Sequence, residues 1–365
     1  MAENIPKYQE IAHRLKESIQ QGVFAPGEKL ISEPSLCEKF GISRHTARAA
    51  VSILEAEGLV TRKRGSGTYV NHFFADTHRK NIGVLTTYSD AYIFPSIISG
   101  IEEVLSQKDH RMTLGFTQNK IENERRQLLS FLSDGIDGLI VEPVKSALPS
   151  MNLDIFREFS ARSIPVVFIN SYYDRLNCNY VLNDDVLGGR LAARHLIKNG
   201  HTNIGGIFKH DDIQGSHRYK GLMEELYAHH QNVQDGKIIW FSTETQESLF
   251  SPDQFHRLLE RLDGVSGLIC YNDQIAVKFV QAATRASLHI PHDLSIVSFD
   301  NSSLSRLSSV PLCSVTHPGV DMGRLAAESL LKMVNAPSQL IRHVFKPELI
   351  VRDSVQDIAK HRPEF

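Results

Sequence analysis

Ile42–Gly58 reads ISRHTARAAVSILEAEG, and the fold of the first seventy residues turns on it. At 100° per residue, Ala47, Ala50, Val51 and Leu54 share one side. His45, Arg48, Ala49 and Ser52 take the opposite side, with Arg44 at the border. Ser43 is placed to cap the first turn, and Gly58 is a stop signal. One face of this helix therefore packs inward. The other carries forked donors among small neighbours, as a helix entering the major groove of DNA requires. An ordinary amphipathic surface helix has the same period, so the flanking sequence must decide.

Working upstream, Tyr8, Ile11, Ala12, Leu15 and Ile19 recur at helical spacing and predict a helix from about Lys7 to Gln21. FAPGEKL is a turn. Ser32 caps a second helix, SEPSLCEKFG, with Pro34 in its first turn and Leu36, Cys37 and Phe40 inward. Gly41 then turns the chain into the opening helix, which is helix-turn-helix geometry. Downstream, Leu59–Thr61 and Thr68–Val70 read as short strands. The turn between them carries Arg62, Lys63 and Arg64, three cations suited to phosphates or a minor groove. Gly65-Ser66-Gly67 is not a dinucleotide loop, because no strand–GxGxxG–helix unit surrounds it.

This run, from PKYQEI through PGEKLISEPSLCEKFGISRHTARAAVSILEAEGLVTRKRGSGTYV, resembles the winged helix-turn-helix of the GntR family of transcription regulators. The resemblance implies DNA contacts from Lys7, Glu33, Arg44, His45, Thr46, Arg48, Arg64, Ser66 and Gly67. It departs in two small places. Ile31-Ser32-Glu33 stands where many members have Pro-Ser-Glu, and Ala47 where many have a larger aliphatic residue.

The whole chain has 365 residues, 41% hydrophobic and 22% charged, a globular composition long enough for more than one domain. No apolar run approaches the ~20 residues of a membrane span. The opening MAENIPKYQE lacks a signal-peptide apolar segment, so a cytoplasmic location is expected. Cys37, Cys178, Cys270 and Cys313 are far apart and predict reduced thiols without a zinc site. Residues 1–72 hold ten Lys and Arg against eight Asp and Glu, while the whole chain has net charge −2. DNA affinity must then come from placed cations, with no broad basic field.

The expected organisation is a DNA-binding domain over 1–72, a linker over 73–80, and a second domain over 81–365. In the linker region, Phe73 and Phe74 can dock on either domain, and His72 and His78 lack partners at metal-ligand spacing. The second domain alternates buried strands with amphipathic segments. IGVLTTY, MTLGFT, GLIVEP, PVVFIN, YVLND, IGGIFK, KIIWF, GLICYND and LSIVSFD are the strands. That alternation predicts parallel sheets in two α/β lobes.

Ligands of such sheets bind beyond the carboxyl ends of the strands. Tyr88, Glu142, Asn170, Lys209, Asn272, Asp273 and Asp300 stand there. Arg218 is expected at the start of the helix after the Lys209 loop, and His317 in a late crossover. Carboxylates, amides and a guanidinium suit a ligand whose hydroxyls both donate and accept. Phe94, Tyr92 or Tyr172 can pack against a sugar ring.

IPHDLSIVSFDNS, LNDDVLGGRLAARHLIKNGHTNIG and YNDQIAVKFV resemble the effector-binding core of the LacI/GalR family, which shares the two-lobe fold of periplasmic sugar-binding proteins. By that resemblance Arg218, Asp273 and Asp300 grip ligand hydroxyls, and the core carries the dimer contact. A GntR-type headpiece on such a core, with LTTYSDAYIFPSIISGIE, NERR, GLIVEPVKSAL and GIFKHDDIQG, is similar to the arabinose-responsive repressor family. This implies a homodimer on a palindromic operator, released by L-arabinose or, failing that, by another pentose or a hexose. No cofactor and no metal are implied.

An enzyme is not expected. GxSxG, GxxxxGK[ST], HExxH and DxDxDG are all absent. Asp184-Asp185 would point to opposite faces of a strand, and Asp211-Asp212 lacks a third cation ligand. A transport-type binding protein would need a signal peptide and no DNA-binding module.

Overall fold

The computed structural model describes residues 6–20, 22–71, 79–89, 93–232, 234–335 and 340–359. His72, Phe73, Phe74, His78, most of the expected linker, and Tyr92 lie outside them. Two compact units are present: residues 1–80 with 109–111, and the remainder.

In the first unit, α1 (Lys7–Gln20), α2 (Glu33–Phe40) and α3 (Arg44–Ala56) precede β1 (Val60–Lys63) and β2 (Gly67–Val70). The Ser32 and Ser43 hydroxyls accept from Ser35 N and Thr46 N, so both helices after α1 start on capped turns. Gly41 ends α2 at φ 61°, a conformation cheap for glycine, and this sets the turn into α3. Ala47, Ala50, Val51 and Leu54 are buried as their period predicts. They join Ile11, Leu15, Leu36 and Leu59 in one small core. Burying a leucine such as Leu54 is worth roughly 1.5–3 kcal/mol.

The wing differs from the expectation at one point. β1 pairs with β2 antiparallel from Val60–Val70 to Lys63–Gly67. Arg62 and Lys63 are therefore strand residues, and the turn is Arg64-Gly65-Ser66.

The second unit holds two six-stranded sheets. The first contains β3 (Asn81–Thr86), β4 (Arg111–Phe116), β5 (Gly138–Val141), β6 (Val166–Ile169), β7 (Asn179–Asn183) and, late in the chain, β13 (Arg342–Phe345). Its order is β13-β7-β6-β5-β3-β4. The second contains β8 (Ile204–Lys209), β9 (Ile238–Phe241), β10 (Gly267–Cys270), β11 (Ser295–Asp300), β12 (Cys313–Thr316) and β14 (Leu349–Ile350), in the order β14-β12-β11-β10-β8-β9. The central pairings are parallel, and β14 pairs antiparallel with β12. Near-continuous apolar strands such as GLIV and GLIC are buried on both faces by helices.

On the first sheet, α4 (Phe94–Gln107) and α12 (Gly319–Asn335) cover one face, α5 (Ile121–Asp134) and α6 (Leu153–Ala161) the other. On the second, α7 (Asp185–Lys198) and α8 (Ile213–Ala228) cover one face, α9 (Pro252–Arg261) and α10 (Asp273–Arg285) the other. The chain passes between the lobes at β7–α7, at β12–α12 and at β13–β14. Hydrogen bonds tie these crossovers together. Asn183 Nδ2 donates to Thr316 O (3.2 Å), Asp184 N to Phe345 O (2.9 Å), and Glu348 N to Thr316 Oγ1 (2.9 Å). Among the described residues, no helix is long and apolar enough to cross a membrane.

Candidate nucleic-acid interface and ligand cleft

Ser43 bends the chain so that Arg44 and His45 stand exposed at the start of α3. Thr46 is half-buried, and its hydroxyl meets that of Ser43 at 2.9 Å. One turn on, Arg48 is 69% exposed in its side chain and only loosely paired with Glu33, at 3.4 Å. Arg44, His45, Arg64 and Lys7 have no hydrogen-bond or ion-pair partner among the described residues, and all four are exposed. Cations left in water at this density cost little and are available for phosphates.

Arg62 is a different case. It donates to Arg48 O (3.3 Å) and Ser52 Oγ (3.1 Å) and pairs with Glu55 at 3.1 Å. The wing is braced against α3 through this side chain, so Arg62 is a paired strand cation and not a free one at the hairpin tip. At the tip, Ser66 Oγ meets Tyr69 Oη at 2.6 Å, and the Lys63 ammonium lies over the Tyr69 ring. Gly67 has φ 126°, and a Cβ there would meet the Lys29 side chain. The exposed face of α3 and the wing turn each present basic side chains, Arg44, His45 and Arg48 on the helix and Arg64 on the turn.

In the second unit, the strand ends of both lobes converge on a cleft of about 730 Å³, counted with its open mouth. Tyr88, Phe94, Glu142, Asn170, Lys209, Arg218, Asn272, Asp300 and His317 all line it. Asp273 does not. It is the first residue of α10, fully buried. Its carboxylate accepts from Ser298 Oγ, Ser314 Oγ (2.7 Å), Ser302 N (2.7 Å) and Ser302 Oγ (2.8 Å). Burial beside Asp300 pushes its pKa up to about 6. The expectation that Asp273 grips ligand is corrected, since its lone pairs are spent on holding three segments together. Tyr172 is also elsewhere: it stacks on Tyr180 and lines a neighbouring cavity.

Arg218 stands in the second turn of α8, later than the helix start expected from sequence. Its Nε donates to Asp185 Oδ1 (2.8 Å), Nη1 to Tyr271 O (2.5 Å) and Nη2 to Asp300 Oδ1 (3.4 Å). The guanidinium also lies over the Tyr271 and Phe299 rings. Two carboxylates outweigh burial and hold it charged. Asp185 is raised by burial, with Arg218 opposing. The close crossing of α7 and α8 makes this possible: a Cβ on Gly189 would stand 2.2 Å from Arg218 O. Asp184 and Asp185 are thus helix-start residues, with Asp184 capping Leu187 N, and are not strand residues.

Lys209 is buried, and its ammonium donates to Asp212 Oδ2 at 2.6 Å, with Asp211 at 3.8 Å. Burial pulls the lysine down, but Asp212 and Asp211 more than offset it and its pKa is raised. The acidic pair read as a possible cation site already holds the chain's own cation.

On the other lobe, Glu142 accepts from Thr87 N (3.1 Å), Thr87 Oγ1 and Asn170 Nδ2 (2.8 Å). Burial pushes its pKa up to about 7, with Thr87 and Asn170 opposing. Because Asn170 Nδ2 donates to Glu142, its Oδ1 faces His317 Nε2 at 2.9 Å and accepts from it. Burial pushes His317 down to about 4, so the ring is neutral, with Nδ1 a bare acceptor. His317 Nδ1, Asn183 Oδ1 and Gln214 Oε1 have no hydrogen-bond partner among the described residues. Asn170 (φ 62°), just after β6, and Asp300 (φ 94°), the last residue of β11, stand at the ends of equivalent strands of the two lobes in a conformation that costs non-glycine residues energy, as functional sites often do.

Sequence reasoning missed Asn183, Asp185, Asp212, Gln214 and Tyr271 as cleft residues. The signal for Asp185 and Asn183 was their place where one lobe's last strand meets the next lobe's first helix. Among the described residues, no group of three or more His, Cys, Asp or Glu is arranged to hold a metal ion.

Comparison with known proteins follows the same division. Residues 7–70 match the family model of bacterial regulatory proteins, gntR family, and residues 193–355 that of the periplasmic binding protein-like domain. The lac repressor dimer bound to operator and an anti-inducer superposes with TM-score 0.67 at 18% identity, covering 79% of this chain and 99% of that one, a likeness of fold. An arabinose metabolism transcriptional repressor of Halalkalibacterium halodurans is 36% identical over 98% of both chains. Another, from Geobacillus stearothermophilus, is 36% identical over 97% of this chain and 99% of its own. With a gntR headpiece joined to a two-lobed α/β core, the chain belongs to the family of arabinose metabolism transcriptional repressors, DNA-binding proteins that control transcription and are not enzymes.

Proposed function

We propose that this repressor acts as a homodimer on a palindromic operator and is released from it by L-arabinose bound in the cleft. The observation that carries the sugar reading is the set of unpartnered acceptors. His317 Nδ1, Asn183 Oδ1 and Gln214 Oε1 offer lone pairs to a ligand rich in O–H donors. Tyr88 and Phe94, ring centroids 6.1 Å apart, give an apolar wall for a sugar face. The cations Lys209 and Arg218 are already matched by Asp212, Asp185 and Asp300, which favours a neutral ligand over a phosphorylated one. L-Arabinose is taken from the names of the two 36% identical relatives. No cofactor is part of this reading.

The dimer reading rests on the short recognition helix, which reads few base pairs alone. The lac repressor, of like fold, binds its operator as a dimer. Sugar weakens DNA binding only if it favours an arrangement of the lobes with lower operator affinity. A gel-shift titration of full-length protein with L-arabinose, beside calorimetry with D-xylose, D-ribose and D-galactose, tests it. Binding of L-arabinose without loss of operator affinity sinks the switch. A stronger response to another pentose or a hexose transfers the same mechanism to that sugar.

A further inference from the structure

We propose that Asn119 is a clasp that holds the two lobes closed and that it acts on the cleft through Asp212. Asn119 follows β4, is fully buried, and has φ 54°. Its own lobe fixes it. Its Oδ1 accepts from Lys145 N at 2.8 Å, which leaves both amide hydrogens pointing away. Both cross to the other lobe, to Asp212 Oδ1 at 3.0 Å and Thr243 Oγ1 at 2.7 Å.

Around it three further links join the lobes. Ile213 N donates to Ser146 Oγ (3.0 Å), Ala147 N to Asp211 O (3.2 Å), and Lys145 pairs with Glu244. The location gives these contacts leverage. The covalent crossovers leave from β7, β12 and β13, near one end of each sheet order. Asn119 follows β4, and Thr243 follows β9, the strands at the opposite ends. Hinge and clasp thus stand on opposite sides of the cleft.

Asp212 makes the clasp sensitive to what the cleft holds. One carboxylate oxygen takes the Asn119 amide. The other takes Lys209 Nζ at 2.6 Å and lies 3.4 Å from Tyr271 Oη, and both those side chains line the cleft. A ligand that fixes Lys209 or Asp212 fixes the acceptor that Asn119 needs. Asn119 is therefore a positioning residue, which sets ligand affinity without lining the cleft.

The test is hydrogen exchange by mass spectrometry on the full chain, comparing wild type, Asn119→Ala and Thr243→Val. Thr243→Val removes an acceptor on the far lobe and leaves Asn119 and its own lobe intact, so it decides the matter if Asn119→Ala fails to fold. Peptides containing Ala147 and Ile213, whose amides bond across the lobes, should exchange about tenfold faster, the effect of roughly one hydrogen bond. Peptides of β5 and β8 should be unchanged. L-Arabinose should bind about tenfold more weakly to both variants by calorimetry. Wild-type exchange at Ala147 and Ile213 in both variants overturns the clasp, and so does equal acceleration in β5 and β8, which marks general destabilisation. The calorimetric arm rests on the sugar reading above. If wild type binds no L-arabinose, that reading fails while the exchange comparison still decides the clasp.

Discussion

Asp185 Oδ1 accepts from Arg218 Nε at 2.8 Å, joining the first residue of α7 to the second turn of α8 across a glycine crossing. Removing the guanidinium leaves Asp185 buried without its cation and takes one contact from Asp300. Arg218→Met should therefore cost about 3–5 kcal/mol of stability in urea unfolding. The folded fraction should bind operator and ignore sugar, a pairing that gel shifts with and without L-arabinose will read.

Asp273 follows β10 and Asp300 ends the neighbouring β11, and the two should behave as opposites. Asp273→Ala strands the donors of Ser298, Ser302 and Ser314. It should lower stability by about 2–4 kcal/mol, with calorimetric sugar affinity of the folded protein kept within about threefold. Asp300→Ala leaves Arg218 paired with Asp185 and should abolish sugar binding at a smaller cost in stability. If Asp273→Ala loses the sugar while melting normally, the assignment is reversed.

Glu142 makes stability depend on pH in a stated direction. Its folded pKa, about 7, lies above its ordinary 4.5. Between those values the unfolded chain has released this proton and the folded chain has kept it. The Glu142 contribution therefore falls as pH rises from about 4.5 to 7, by about 3 kcal/mol at most. Scanning calorimetry should show wild type losing melting temperature relative to Glu142→Gln across that window, with a constant difference above it. A difference flat from pH 4.5 to 8 contradicts a buried, protonated carboxyl.

On the headpiece, base reading and phosphate binding should separate. Arg48→Ala on α3 should weaken specific operator binding by about 1–3 kcal/mol. Arg64→Ala at the wing turn should weaken specific and nonspecific DNA alike and lower the slope of log affinity against log salt by about 1. Fluorescence anisotropy at several salt concentrations distinguishes them, and an unchanged slope removes Arg64 from the phosphate contacts.

The headpiece was legible because its signals are local. Ser32, Gly41 and Ser43 act on neighbouring backbone, and the inward face of α3 follows from period alone. Arg62 was misjudged because its role depends on hairpin register, which a one-residue shift inverts. In the core, β3 to β11 are legible from buried apolar runs, while β12, β13 and β14 are not among the strands read from the sequence. The sequence does not say which end residue turns into the cleft and which turns back to cap. Asp273 is claimed by serines from three places in the chain, and Asn119 by residues 93 and 124 positions away. Such pairings depend on long-range topology, and no local pattern marks them.

The threading of the chain also bears on its birth. α12 and β13 complete the first lobe although they are encoded after β8 to β12 of the second, and β14 then closes the second. Neither lobe is finished on the ribosome until about residue 350 has emerged. Until then β7 and β12 present open sheet edges, and α4 lacks its covering helix. A chain stopped before α12 should yield no functional half-protein, and the nascent form is where this repressor is most exposed to aggregation and to chaperones.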